Sequence, residues 1–420
     1  MVALASARTL APSVSQVVVA GPEVEGDAPG VEIVQGTLAQ GIERLRGACT
    51  VLIDPGVRAT AADVDALCAP IEAGDADVVV PSPAGGPETR ALNALARRIT
   101  GLEVRNPLAP IRAVRTEAIR SLQLHGGPGL AAELVIKLAA QAFRFREVPL
   151  PPMRVERRSA DWLALGRTLM KYALLHNDTD NAHEGYNTLV QIDQAPRYNA
   201  WLGRKLRPHL GHRVLEIGAG IGTMTREIAP GRERVIALEA DPFYVQRLRN
   251  LFRGSEVVQP VHAPVERTDW AALAQERLDT VMLSNVLEHI EDDAAAVRRF
   301  RSVLPENGRL VILVPALPAL HGSIDEAIGH FRRYTPQSLR GVIEANGFRL
   351  ESLEWLNLLG IPGWFLNSRV FRRRSVPGLQ VRLYDRLSPL LAHLESAVKL
   401  PVGMSLLAVA RATPTSGVER

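Results

Sequence analysis

Apolar residues follow two alternating rhythms along this chain. Short β-rich runs at 17–19, 31–34, 50–53 and 77–80 read as strands, and apolar residues at helical spacing fill 63–72 between two of them. Helical patterns follow at 90–99 and 130–143, and a strand at 144–148 leads into Pro149, Pro151 and Pro152, which mark a boundary. Residues 161–175 again have helical spacing, the polar run 176–186 reads as a linker, and 191–206 as one entering helix. A second strand–helix alternation then runs from Arg213 to Arg411. Both halves are therefore expected to be α/β.

With 420 residues, 46% of them hydrophobic, the chain exceeds one ordinary core, and the pattern divides it into 1–155, a linker and lid region 156–196, and 197–414. The net charge of +4 comes from scattered arginines interleaved with acids, which argues against a nucleic-acid partner. Cys49 and Cys68 are the only cysteines and no Cys/His cluster exists, so neither a disulfide nor a metal is expected, and a reducing cytoplasm fits best. The first twenty residues lack the basic and apolar order of a signal peptide. The apolar stretch 353–371 is interrupted by Glu354, Asn357, Pro362 and Asn367, so it does not read as a membrane span.

The densest chemistry begins at Arg213. Five strand-like residues run into Gly218-Ala219-Gly220-Ile221-Gly222 and then a helical segment, a turn whose glycines let backbone approach a ligand closely. The spacing is GxGxG, whereas a dinucleotide fingerprint needs GxGxxG. A second strand, 235–238, ends in Glu239, whose carboxylate is placed to accept hydrogen bonds from ribose hydroxyls. A further strand, 278–285, leads into Val286-Leu287-Glu288-His289-Ile290 and a helix ending near Leu304.

Together these segments resemble the class I S-adenosylmethionine-dependent methyltransferases, which carry ExGxGxG, an acid after the second strand and a VLEHI-like segment after the fourth. The resemblance covers nearly all of 197–411 and implies a Rossmann-like fold with S-adenosyl-L-methionine as donor and S-adenosyl-L-homocysteine as product. It assigns the donor site to Glu216, Gly218, Ala219, Gly220, Gly222, Glu239, Ala240 and Asn285. Where relatives place an Asp for the adenine amine, this chain has His262-Ala263-Pro264. Glu288 and His289 are read as capping or tying down the helix that follows.

After the fifth strand of that half comes a proline-rich loop with His321 and Asp325, then Gly329-His330-Phe331-Arg332-Arg333-Tyr334. This falls at the C-terminal edge of the sheet, where open α/β folds bind substrates. The segment resembles the GHxRRYT stretch of methyltransferases from sugar, lipid and secondary-metabolite pathways. His330 is the candidate general base, with Arg333 and Tyr334 orienting the acceptor or binding an anion. The alternative is that Thr335-Pro336-Gln337 starts a helix, the arginines lie on the surface, and His330 packs in the loop. Tyr198 is read as core together with Trp201, or as a lid over the donor. The apolar and arginine-rich segment 355–374 suits a substrate lid or a homodimer contact better than a membrane surface.

The first half, about 15–155, resembles family 2 glycosyltransferases that use polyprenyl-phosphate acceptors, which implies a truncated GT-A-like domain. Such enzymes hold a divalent metal with paired carboxylates. Here Asp54-Pro55-Gly56 stands where DxD is expected, and Asn106 where relatives place an Asp. The first domain is therefore expected to be non-catalytic. The whole reads as methyl transfer to a small-molecule acceptor, O-directed, in natural-product, sugar or lipid-linked metabolism. A bifunctional glycosyltransferase/methyltransferase and a scaffold without turnover are the alternatives.

Overall fold

The computed structural model describes residues 17–21, 31–35, 38–54, 57, 59–82, 87–122, 124, 127, 129–151, 159–175, 186–374, 376–397 and 401–414. The chain divides into two compact units, residues 1–182 and 183–420. The polar run expected as a linker lies almost wholly outside the described residues, as do Pro55 and Gly56.

In the first unit, strands β1 (Val17–Gly21) and β2 (Val31–Gln35) form a parallel pair. A separate four-stranded sheet takes the order β3 (Cys49–Ile53), β5 (Ile111–Arg115), β4 (Val78–Pro81) and β6 (Phe145–Val148). Its β5 runs antiparallel to both neighbours, and β6 lies parallel to β4. Helix α1 (Ala61–Glu72) starts on a reciprocal cap: Thr60 N–H donates to Asp63 Oδ2 at 2.8 Å, and Asp63 N–H to Thr60 Oγ1 at 3.3 Å. Cys49 and Cys68 are joined in a disulfide that ties β3 to α1, which corrects the expectation of two free thiols. The spacing in sequence gave no sign of it; the pairing follows from α1 packing back over the sheet, with Cα atoms 6.0 Å apart.

Two further helices, α2 (Pro87–Thr100) and α3 (Leu130–Ala140), cover another part of this unit. Helix α4 (Ser159–Leu175) packs there too, its Leu165 and Leu169 buried with Ala96, Leu108 and Val135. The expected linker and lid region therefore splits: α4 belongs to the first unit's core, because its apolar stripe finds partners on α2 and α3.

The second unit opens with α5 (Tyr186–Asp193) and α6 (Pro196–Leu206), not one helix. Pro196 forbids the α conformation at Ala195, where φ is −110° and ψ 65°, so the chain breaks and restarts. The restart is capped from far away, since Asp385 Oδ1 accepts from the N–H groups of Arg197 (2.8 Å) and Tyr198 (3.0 Å). Tyr198 packs against Trp201 and Tyr384, with ring centroids 5.5 and 5.6 Å away.

Seven strands then form one sheet in the order β12 (Phe348–Leu356), β13 (Ser405–Ala412), β11 (Arg309–Pro315), β10 (Thr280–Ser284), β7 (Arg213–Ile217), β8 (Arg234–Glu239) and β9 (Val258–His262). Neighbouring pairs from β11 to β9 are parallel, and β13 is antiparallel to both of its neighbours. Alternate residues feed opposite faces: Leu215, Ile236, Leu283 and Ile312 enter one core with Phe300, while Val214, Val235, Met282 and Val311 enter the other with Trp201. Strand order reverses between β7 and β10, and the carboxyl ends there open the crevice in which such sheets bind ligands. No helix among the described residues is long and apolar enough to cross a membrane.

Candidate functional site

The chain leaves β7 through a turn in which the N–H groups of Gly218 and Ala219 both donate to Leu238 O, at 2.8 and 3.1 Å. Gly218 has φ +68°, and a Cβ there would lie 2.5 Å from Val286 Cγ2. Gly222 has φ +84°, caps α7 (Thr223–Ile228), and a Cβ there would meet Leu251 Cδ2, at the end of α8 (Pro242–Leu251), at 2.9 Å. Side chains are thus excluded at both points by backbone hand and by neighbours: Val286 takes the space beside Gly218, and Leu248, Leu251 and Phe252 take that beside Gly222. Ala219 is buried within the turn.

Glu239, at the end of β8, is buried and accepts from Gly220 N–H through Oε2 (2.7 Å) and from Asp241 N–H through Oε1 (2.9 Å). Burial raises its pKa, and those two backbone donors oppose the rise. Each oxygen keeps lone-pair capacity beyond these bonds, as two ribose hydroxyls require. Ala240 follows at the surface, with its carbonyl 3.0 Å from His262 Nε2. Asn285 follows β10 with φ +54°, is exposed, and its N–H donates to Leu313 O at 2.8 Å. Glu216 is 2% exposed and its Oε2 has no hydrogen-bond partner among the described residues. Burial pushes its carboxyl up to about 8.

A second polar cluster sits where the chain returns from β11. Asp325, in α10 (Ser323–Ala327), is completely buried and accepts four bonds. Oδ1 receives His330 Nδ1 and Arg333 Nε, both at 2.8 Å, while Oδ2 receives Gly322 N–H at 3.1 Å and Trp364 Nε1 at 3.2 Å. Burial alone would raise its pKa, but the bonds and charges of His330 and Arg333 hold it down to about 2. An ionised Asp325 fixes the proton of His330 on Nδ1 and leaves the lone pair on Nε2. That nitrogen lies 3.6 Å from Glu288 Oε1. Glu288 is fully buried, neither of its oxygens has a partner among the described residues, and burial lifts its carboxyl to about 8. The His289 ring stands edge-on to His330, with centroids 4.6 Å apart.

The donor cradle and this cluster share one segment. Val286 packs against Gly218, and two residues on, Glu288 O accepts from Phe331 N–H at 2.9 Å.

Three expectations change. Arg333 is buried with its donors on Asp325 and on Ala316 O (3.0 Å), and it stacks over Trp364 at 4.7 Å, so it braces Asp325 and does not bind an anion. Tyr334 is 1% exposed and its hydroxyl donates to Asp293 Oδ2 (2.8 Å); burial raises its pKa, and it acts as a strut, not as an acceptor-orienting group. Glu288 and His289 do not cap α9 (Asp293–Ser302); Asp292 does, accepting from Ala295 N–H at 2.8 Å. Thr335 caps α11 (Pro336–Glu344), as its Thr-Pro pairing suggests. Sequence reasoning gave Asp325 no role of its own and missed the part Trp364 plays. The five-residue spacing from Asp325 to His330 was the available signal for the first; nothing local signals the second.

The segment after β12 forms α12 (Gly360–Phe365) and a π-helical turn at Leu366–Val370. It is tied to α10 by the single Ser323 hydroxyl, whose Oγ lies 2.8 Å from Ser368 O and 2.7 Å from Arg373 O, and by Arg369 Nη1 donating to His321 O (2.9 Å). Phe365, Val370 and Phe371 of this segment are exposed, as is Phe331 beside His330.

A family model described as a methyltransferase domain matches residues 181–353. These residues form a class I S-adenosylmethionine-dependent methyltransferase domain. Its methyl donor is S-adenosylmethionine, and the glycine turn with the Glu239 carboxylate bonded to Gly220 N–H fits a nucleoside whose ribose needs an acceptor. The demethylmenaquinone methyltransferase of Clavibacter sepedonicus is 24% identical over 154 residues, 36% of this chain and 62% of its own. A ubiquinone biosynthesis O-methyltransferase of Xanthomonas euvesicatoria is 35% identical over 104 residues, 24% of this chain and 42% of its own. The ribosomal RNA small subunit methyltransferase A of Acidobacterium capsulatum is 39% identical over 100 residues, 22% of this chain and 35% of its own. The chain thus spans between about a third and two thirds of the length of these relatives.

Proposed function

We propose that this protein methylates a hydroxyl of a small, largely apolar acceptor, with His330 taking the proton. The observation that carries the reading is the Asp325–His330 pair, whose 2.8 Å bond fixes the tautomer and turns Nε2 toward the segment that also contacts the glycine turn. S-adenosylmethionine supplies an electrophilic methyl group on its sulfonium. The chain's own contribution is alignment: the cradle and Glu239 hold the nucleoside, and segment 285–289 ties that cradle to His330. The hydroxyl proton passes to Nε2 as the oxygen becomes nucleophilic. Exposed Phe331 and Phe365 support an apolar acceptor, and one relative's O-methyltransferase name supports oxygen as the atom methylated. The scattered charge supports a small molecule over nucleic acid, although another relative acts on ribosomal RNA by name.

For the first unit, the reading is a glycosyltransferase-like domain without turnover. Asp54 Oδ1 is bonded to the buried Arg112 guanidinium at 3.0 Å, which places a cation where a metal would compete. Calorimetric binding of a sugar nucleotide with manganese would refute that silence.

The test of the main reading is His330→Ala. Turnover on a hydroxyl acceptor should fall about 10²–10⁴-fold while S-adenosylhomocysteine affinity stays near wild type. Wild-type turnover would remove His330 from the chemistry.

A further inference from the structure

The Glu288 carboxylate is the feature the reading above leaves unused. It is wholly buried, both of its oxygens lack a hydrogen-bond partner among the described residues, and it faces two imidazoles. A buried carboxyl normally has a partner, and one without it calls for a ligand that the protein chain does not supply. Its nearest polar neighbour, His330 Nε2, is 3.6 Å from Oε1, too far for a hydrogen bond. Bonds of about 2.0–2.1 Å to one tetrahedral ion would put two ligand atoms roughly 3.4 Å apart, so that gap matches two ligands of a common ion. One ligand atom each from Glu288, His289 and His330 lies within 4.8 Å of the others.

We propose that Glu288, His289 and His330 form a binding site for a divalent transition-metal ion beside the donor cradle. Two imidazole nitrogens and one carboxylate oxygen suit zinc or its neighbours better than magnesium or calcium, which prefer oxygen. Three protein ligands leave at least one position open, the arrangement of sites that act on substrate. His289 has solvent access, so the open side can be reached. Glu288 would give up its proton on ligating the ion, as ligands must, and the Asp325 carboxylate already balances the Arg333 guanidinium nearby. Asp325 already holds His330 through Nδ1, a bond that orients the ring and leaves Nε2 for the ion.

The inference rests on the reading that the acceptor oxygen is presented at this edge, and it changes what removes the proton. With the ion bound, Nε2 is a ligand; the acceptor hydroxyl on the open position is acidified by the ion, and its proton leaves to solvent.

The test is zinc titration by calorimetry into chelator-treated, full-length protein saturated with S-adenosylhomocysteine. One ion per chain should bind, and Glu288→Gln should weaken it by at least about tenfold, the loss that even outer-shell changes produce. His289→Ala, at the solvent side, should weaken binding equally while the metal-free melting temperature is unchanged, which guards against misfolding of the buried variant. No binding, or binding that neither substitution weakens, overturns the site. If the site fails while His330→Ala still slows turnover, His330 as base stands. If zinc binds through these residues and His330→Ala turns over normally, the site stands and the reading of the acceptor falls.

Discussion

At the scale of single residues, the same amino acid does different work according to what burial leaves it. Glu239 and Glu216 both lie at strands feeding the glycine turn, but Glu239 has two backbone donors and Glu216 Oε2 has no partner among the described residues. Glu216 is pushed up to about 8 from an ordinary 4.5. The folded state therefore binds its proton more tightly than the unfolded chain, so stability is full below about 4.5 and declines as pH rises toward 8. Glu216→Gln abolishes that titration, and its melting temperature relative to wild type should climb by several degrees between pH 5 and 8. A pH-independent difference in differential scanning fluorimetry would show that the buried carboxyl carries no such penalty. The placement of Glu239 beside the glycine turn was legible in the sequence, because motif spacing and position after a strand fix it, and so was that of His330 at the carboxyl edge of the sheet. The lack of partners at Glu288 and the roles of Arg333 and Tyr334 were not, because they depend on which side chains the fold brings together, Arg333 on Asp325 and Tyr334 on Asp293.

At the scale of elements, strands were readable where alternation feeds two cores, and helices were readable in place but not in continuity. Residues 191–206 show one helical rhythm, yet Pro196 splits it and Asp385, nearly two hundred residues on, caps the second piece. Asp385→Ala leaves two N–H groups without their acceptor and should cost about 1 kcal/mol. In a unit of this size that lowers the melting temperature by roughly 2–4 °C. An unchanged transition would mean that water replaces the cap at no cost. The methyltransferase sheet is the most legible part because β7, β8, β10 and β11 are continuous apolar runs punctuated by glycine or acid.

At the scale of the whole molecule, the two units have separate cores, and their boundary was the least legible feature. Helix α4 looks like linker by position and is core by packing. The disulfide gives a clean way to address one unit, since both cysteines of the chain lie in the first. Cys68→Ser should lower the first unit's transition by an amount equivalent to about 2–4 kcal/mol and leave the second unit's transition in place. A shift of both together in calorimetry would show that the units melt as one.

The central claim is that the crevice at the carboxyl ends of β7 and β10 holds the methyl donor through the glycine turn and Glu239. Calorimetric titration of S-adenosylhomocysteine into the full-length protein tests it most directly. One molecule per chain is predicted to bind, and Glu239→Ala should weaken it by the roughly 1.5–3 kcal/mol of a charge-assisted bond. An affinity unchanged by that substitution, or a titration without heat or saturation, would contradict the account.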